Sequence, residues 1–184
     1  MHFTLTDLIT DITQNAVEAD ADMVELEVSE TSDEFRFLVK DNGKGMTEEE
    51  LKRAIDPFVT DGVKHPNRKV GLGLPFLIQT AEQSNGGWDI KSEKGSGTLV
   101  TGWFDLKCVD TPPAGNIPGM FRTILMFDSS AEIVIRRRFK PENGNENEYE
   151  IQKSELADAL GSMEDAGALV LLGDYLRSLE EYEE

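Results

Sequence analysis

Asp11 and Asn15 stand four residues apart, one turn of a helix, so their side chains share a face. An amide oxygen so placed suits a Mg²⁺ that keeps most of its waters and bridges phosphates. A carboxylate one turn earlier can orient a water or accept a hydroxyl proton. The pair also reads as the solvated face of a surface helix, although an Asn in mid-helix is mildly unfavourable there. Asp41-Asn42-Gly43-Lys44-Gly45 is a second candidate. A buried carboxylate is a natural acceptor for an exocyclic amine such as that of adenine, and two glycines let a flat base approach the backbone. Asp-Asn-Gly is equally a common way to leave a strand through an Asx-turn. A third, Gly71-Leu72-Gly73-Leu74, runs into a helix with Pro75 in its first turn. Backbone N–H groups and the positive end of a helix dipole would there face an anion. Just upstream, Lys64, His65, Arg68 and Lys69 share one glycine-containing loop. That loop fits a phosphate lid or an ordinary basic surface loop. The chain contains no GxxxxGK[ST], which excludes a P-loop NTPase on its own motif.

The elements that must position these groups follow from periodicity. Leu5, Leu8, Ile9, Ile12, Ala16 and Ala19 make one apolar helical stripe, opposite Asp7, Asp11, Asn15 and Glu18. Residues 23–28 and 34–39 alternate with period two and predict strands. Thr47-Glu48-Glu49-Glu50 opens a short helix through a capping box, and Asp56-Pro57-Phe58 closes it. A helix over about 74–84 ends at Asn85-Gly86-Gly87, and strands at 88–92 and 98–106 are joined by Lys94-Gly95-Ser96-Gly97. After Asp110-Thr111-Pro112-Pro113 the character changes. Residues 121–127 and 131–139 are expected to form a strand pair linked at Asp128-Ser129-Ser130, followed by a polar loop over 141–147. Amphipathic segments at 154–160 and about 165–179 precede an acidic end. The expected architecture is an α/β sandwich over residues 1–106, with a carboxy-terminal extension of strands and helices over 107–184.

Composition narrows the function class. The 184 residues carry a formal charge of −18, which argues against a nucleic-acid surface built on clustered Lys and Arg. Acidity also simply favours solubility. At 39% hydrophobic residues the chain can bury an ordinary core. Cys108 is the single cysteine, so neither an intramolecular disulfide nor an all-cysteine metal site can form. Two histidines make a zinc site improbable. No apolar run approaches the about 20 residues that span a bilayer, and no signal peptide is visible, so a cytoplasmic location is expected.

Together these boxes resemble the adenine-nucleotide site shared by DNA gyrase, mismatch-repair ATPases, the heat-shock chaperone ATPase and sensor histidine kinases. Residues 11–21 are similar to the family's N-box and residues 41–46 (Asp-Asn-Gly-Lys-Gly-Met) to its adenine box. Pro57-Phe58-Val59-Thr60 with Gly71-Leu72-Gly73-Leu74 resembles the stretch that brackets the ATP lid of histidine kinases. Gly95-Ser96-Gly97-Thr98 resembles the last box, whose Thr supports adenine through water. The resemblance covers about residues 5–105. It implies the Bergerat ATP-binding fold, with ATP and Mg²⁺ as ligands. It places Asn15 on the metal, Asp41 on the adenine amine and Asp11 at the catalytic carboxylate position. Gly43, Gly45, Met46, Lys64, Lys69, Gly71, Leu72, Gly73, Leu74 and Thr98 would surround the nucleotide.

One departure bears on activity. Gyrase and mismatch-repair relatives carry Glu four residues before the Asn, where this chain has Asp11. One methylene less shortens the reach by about 1.5 Å, which slows or prevents water activation. ATP binding therefore rests on more residues than hydrolysis does. The first helix starts close to Met1, which leads us to expect a stand-alone domain without an upstream sensor, anchor or dimerisation helix. His2 lacks the helix that presents a phospho-accepting histidine, and about 80 remaining residues do not show a gyrase-type transducer. The expected activity is ATP hydrolysis or phosphorylation of a protein partner in signal transduction. The alternative is a non-catalytic nucleotide-sensing module whose extension binds the partner. The identity of that partner and the oligomeric state stay open.

Overall fold

The computed structural model describes residues 3–58, 73–140, 144–161 and 165–181. Helix α1 (Leu5–Val17) begins at a full capping box. The Thr4 hydroxyl accepts from the N–H of Asp7, and the Asp7 carboxylate accepts from the N–H of Thr4. Its apolar stripe, Leu5, Leu8, Ile9, Ile12 and Ala16, is buried, while Asp11 and Asn15 lie on the exposed side.

Strands β1 (Met23–Glu30) and β2 (Glu34–Asp41) pair antiparallel, with Val24, Leu26, Val28, Phe35, Phe37 and Val39 buried on one face. Helices α2 (Glu48–Ile55) and α3 (Gly73–Gln83) follow, then the hairpin β3 (Gly87–Glu93) and β4 (Gly97–Asp105). Each of these expected elements is present, with ends within about two residues.

The chain after residue 106 differs from expectation. Residues 121–127 do not form a strand. They belong largely to helix α4 (Ile117–Leu125), capped by Asn116, whose side chain accepts from the N–H of Gly119 at 2.9 Å. Ile117, Met120, Phe121, Ile124 and Leu125 form its buried stripe, a helical spacing that overrides the local β-propensity. Of the expected strand pair only β5 (Glu132–Phe139) is a strand, and its partners are elsewhere. It lies parallel to β1 on one side and antiparallel to β6 (Asn147–Gln152) on the other. Asn147, expected in a loop, opens β6. Helices α5 (Lys153–Leu160) and α6 (Ala166–Glu180) complete the order.

The result is one six-stranded sheet in the order β3-β4-β2-β1-β5-β6. Residues of α1, α3, α4 and α6 share a hydrophobic core with its inner face, which makes a two-layer α/β sandwich. The extension thus continues the main sheet at the β1 edge. Its arginines are engaged within the fold. Arg136 bridges Glu25, Glu27 and Glu150 on the outer face, and Arg138 pairs with Glu146 and Glu148. Arg137 alternates inward and is only 2% exposed, held by Glu30 at 2.6 Å and Glu180 at 3.1 Å. Tyr149 donates to the same Glu180, so the end of α6 is fastened to the sheet through a buried polar cluster. Among the described residues no helix is long and apolar enough to cross a membrane.

Candidate functional site

Asp41 closes β2 opposite Thr98 of β4 and is 7% exposed. Its carboxylate accepts from the N–H of Gly43 at 2.8 Å, which is an Asx-turn, and from the backbone N–H of Thr98. Burial raises its pKa above the ordinary carboxylate value, against the lowering effect of both N–H donors. The turn and a ligand-reading role coexist readily, because an ionised carboxylate has about four acceptor positions.

The loop after Asp41 is clamped from two sides. Towards α1, the N–H of Lys44 donates to Ala19 O at 2.9 Å, and Asn42 Oδ1 accepts from the N–H groups of Asp22 and Met23. Towards the β3–β4 hairpin, the N–H of Gly95 donates to Lys44 O at 2.8 Å. The glycines are demanded by this packing. A Cβ on Gly43 would stand 2.4 Å from Ala19 O, and one on Gly45, whose φ is +58°, 1.9 Å from Glu93 O. Ser92 was not singled out in the sequence, yet it joins the boxes. Its hydroxyl accepts from the N–H of Met46 at 2.8 Å and bonds the Thr98 hydroxyl at 2.8 Å.

The second part of the site sits on α1. Gly73, the first residue of α3, is buried against the face that carries Asp11 and Asn15. A Cβ there would meet Asn15 Nδ2 at 3.5 Å and Asp11 Cβ at 3.9 Å. The amino-terminal end of α3 therefore lies beside Asp11 and Asn15. Leu74 turns the other way and packs against the core. Asn15 and Ala19 are one turn apart, so one helix presents Asn15 towards α3 and anchors the Asp41 loop at its end. Asp11, Asn15, Asp41, Gly43, Gly45, Met46, Gly73, Leu74 and Thr98 thus come from four segments that meet around α1 and the ends of β2 and β4. Lys64, His65, Arg68, Lys69, Gly71 and Leu72 lie outside the described residues.

This arrangement sets a buried acceptor at Asp41 and brings the start of α3 against the helix face that carries Asp11 and Asn15, whose side chains hold hard oxygen atoms. Hard oxygens of that kind match Mg²⁺ rather than a thiophilic metal.

Residues 3–108 match the family described as Histidine kinase-, DNA gyrase B-, and HSP90-like ATPase. The chain is similar to Sporulation kinase C of Bacillus subtilis, 31% identical over 97 residues, which cover 52% of this chain and 22% of that protein. Sporulation kinase E of the same organism is 35% identical over 98 residues, covering 52% of this chain and 13% of its own length. Sensor histidine kinase ZraS of Escherichia coli is 26% identical over 113 residues, covering 60% and 23% respectively. The chain spans less than a quarter of each of these relatives.

Proposed function

Because this chain belongs to the family of histidine kinase-, DNA gyrase B- and HSP90-like ATPases, we propose that it binds ATP with Mg²⁺ and passes the γ-phosphate to a protein partner in trans, or to water. The observation that carries this reading is the seating of Gly73 on the Asp11–Asn15 face of the helix that also anchors the Asp41 loop. Three boxes that are far apart in sequence then address one ligand: adenine at Asp41, phosphates at the start of α3, and the metal at Asn15.

In this reading Asp41 accepts from the adenine amine, and Thr98 and Ser92 hold the Asp41 loop and the β3–β4 hairpin in register. Asn15 would hold Mg²⁺ through its amide oxygen, and the ion would supply neutralisation of phosphate charge. Among the described residues no three His, Cys, Asp or Glu side chains gather into a metal cluster. Asp11 would be the carboxylate that accepts a proton from the attacking group.

The shortened carboxylate at Asp11 favours a second reading, a nucleotide-sensing switch that binds ATP without turnover. Incubation of the full chain with γ-labelled ATP and Mg²⁺ separates the two. Labelled phosphate or labelled protein supports the enzyme. Saturable, Mg²⁺-dependent binding with neither supports the switch, and no binding at all overturns both.

A further inference from the structure

The four N–H groups that open α1 are all satisfied, but from two different parts of the chain. The capping box takes those of Thr4 and Asp7. The N–H groups of Leu5 and Thr6 donate instead to Pro113 O at 3.0 Å and Ala114 O at 2.9 Å. The family match ends at residue 108, so these acceptors belong to this chain's own extension.

Gly115 follows with a φ of +94°, a conformation that favours glycine. A Cβ there would stand 2.1 Å from Thr6 Oγ1 and 2.8 Å from Thr4 Oγ1, so the segment and α1 would have to part by roughly 1 Å to restore even a tight contact. Both sides are seated in the core, through Ala114 and Ile117 on one and Leu5 and Leu8 on the other. A side chain at 115 is therefore met by tilting one against the other.

Helix α1 is held at its far end too. The N–H of Lys44 donates to Ala19 O, which ties the Asp41 loop to the turn after the helix. A tilt imposed at Thr6 thus pivots about the end near Val17. At about 1.5 Å per residue, Thr6 lies about 16 Å from that end, Asp11 about 9 Å and Asn15 about 3 Å. A shift of about 1 Å at Thr6 then moves Asp11 by about 0.5 Å and Asn15 by about 0.2 Å, while the Asp41 loop keeps its place. Misplacement on this scale at a reacting group costs rate more than affinity.

We infer that residues 113–115 are part of the nucleotide machinery, with Gly115 the positioning residue that sets the tilt of α1 and so the placement of Asp11. This rests on the turnover reading above, in which Asp11 serves the reaction and Asp41 the base. The effect passes through α1, so it shows in turnover and leaves base recognition as it is. A segment that served stability alone would lower the melting temperature and leave the turnover of the folded chain unchanged.

The test compares the full chain with Gly115→Ala, Thr6→Ala and the double variant, in single-turnover reactions with γ-labelled ATP and Mg²⁺ beside calorimetric titration and thermal melts. Gly115→Ala should slow the loss of label from ATP about tenfold while ATP affinity stays within about twofold of the parent. Adding Thr6→Ala removes the nearest clashing atom and should bring the rate to within about threefold of Thr6→Ala alone, although the backbone strain at 115 remains. If Gly115→Ala gives no cooperative melt, Gly115→Asn, a residue type that tolerates positive φ, carries the same Cβ and decides by the same criteria. An unchanged rate, or a rate loss that Thr6→Ala does not relieve, overturns the positioning role and leaves turnover standing. Loss of the fold in both variants at 115, or of affinity along with rate, makes the segment structural only and overturns it as well. A parent that binds ATP and neither releases nor transfers the label overturns the turnover reading and this inference with it.

Discussion

Replacing Asp41 with Asn isolates base reading from folding. The carboxyl group is buried and already accepts from the N–H groups of Gly43 and Thr98. The amide has the same shape, and its oxygen can keep the Gly43 bond. Its NH₂ then faces either the Thr98 N–H or the adenine amine, donor against donor. A buried donor left unmatched costs roughly 1–3 kcal/mol, which weakens ATP binding about tenfold to a hundredfold. Stability should move differently. Burial raises the folded pKa of Asp41 above its ordinary value of 3.8, so the folded chain holds that proton more tightly than the unfolded one. The stability this group contributes is complete below 3.8 and is lost as pH rises through the raised value. Asn has no such loss, so the variant's melting temperature relative to the parent should improve from acid to neutral pH. Calorimetric titration with ATP, paired with thermal melts across that range, reads both effects. Unchanged ATP affinity would refute the adenine assignment. A joint collapse of affinity and melting temperature would show that Asp41 is a structural turn residue only.

Asp11→Asn should leave ATP bound while lowering phosphate release or transfer by about 10²–10⁴-fold, and Asn15→Ala should weaken binding only when Mg²⁺ is present; single-turnover assays and titrations with and without Mg²⁺ check the pair. Ser92→Ala strips the Met46 N–H of its acceptor and unties Thr98, and should destabilise by about 1–3 kcal/mol in urea melts with a parallel loss of ATP affinity. An unchanged midpoint would remove Ser92 from the account. Arg137→Met leaves Glu30 and Glu180 facing each other's charge without the guanidinium, and should cost about 3–5 kcal/mol in the same melts. Loss of ATP affinity before unfolding in that variant would contradict a purely structural role.

The amino-terminal elements were legible because each carries a clean period and a cap, as in the Thr4 and Thr47 boxes. Helix α4 is masked in the sequence because Phe121, Thr123, Ile124 and Phe127 favour strands locally. The signal that could have found it was present in the Asn116 cap, Pro118 in the first turn, and the spacing of Ile117, Met120, Phe121 and Ile124. Strand β6 escaped notice because only Tyr149 and Ile151 turn inward between polar neighbours. Arg136, Arg137 and Arg138 are contiguous in sequence, but strand alternation sends Arg137 into the core and the other two outward. At the site, the Asp-Asn-Gly and Gly-Leu-Gly motifs were visible from residue type. Ser92 was not, since its role depends on the β3–β4 register and the loop opposite.

Nucleotide discrimination by the unaltered chain tests the central claim most directly. Adenine presents an amine where guanine presents a carbonyl oxygen, so the Asp41 carboxylate should accept from the first and repel the second. Calorimetric titration in Mg²⁺ should show saturable ATP binding and GTP binding weaker by about a hundredfold or more. Equal affinity for the two nucleotides, or no heat of binding with ATP, would contradict the assignment of this site.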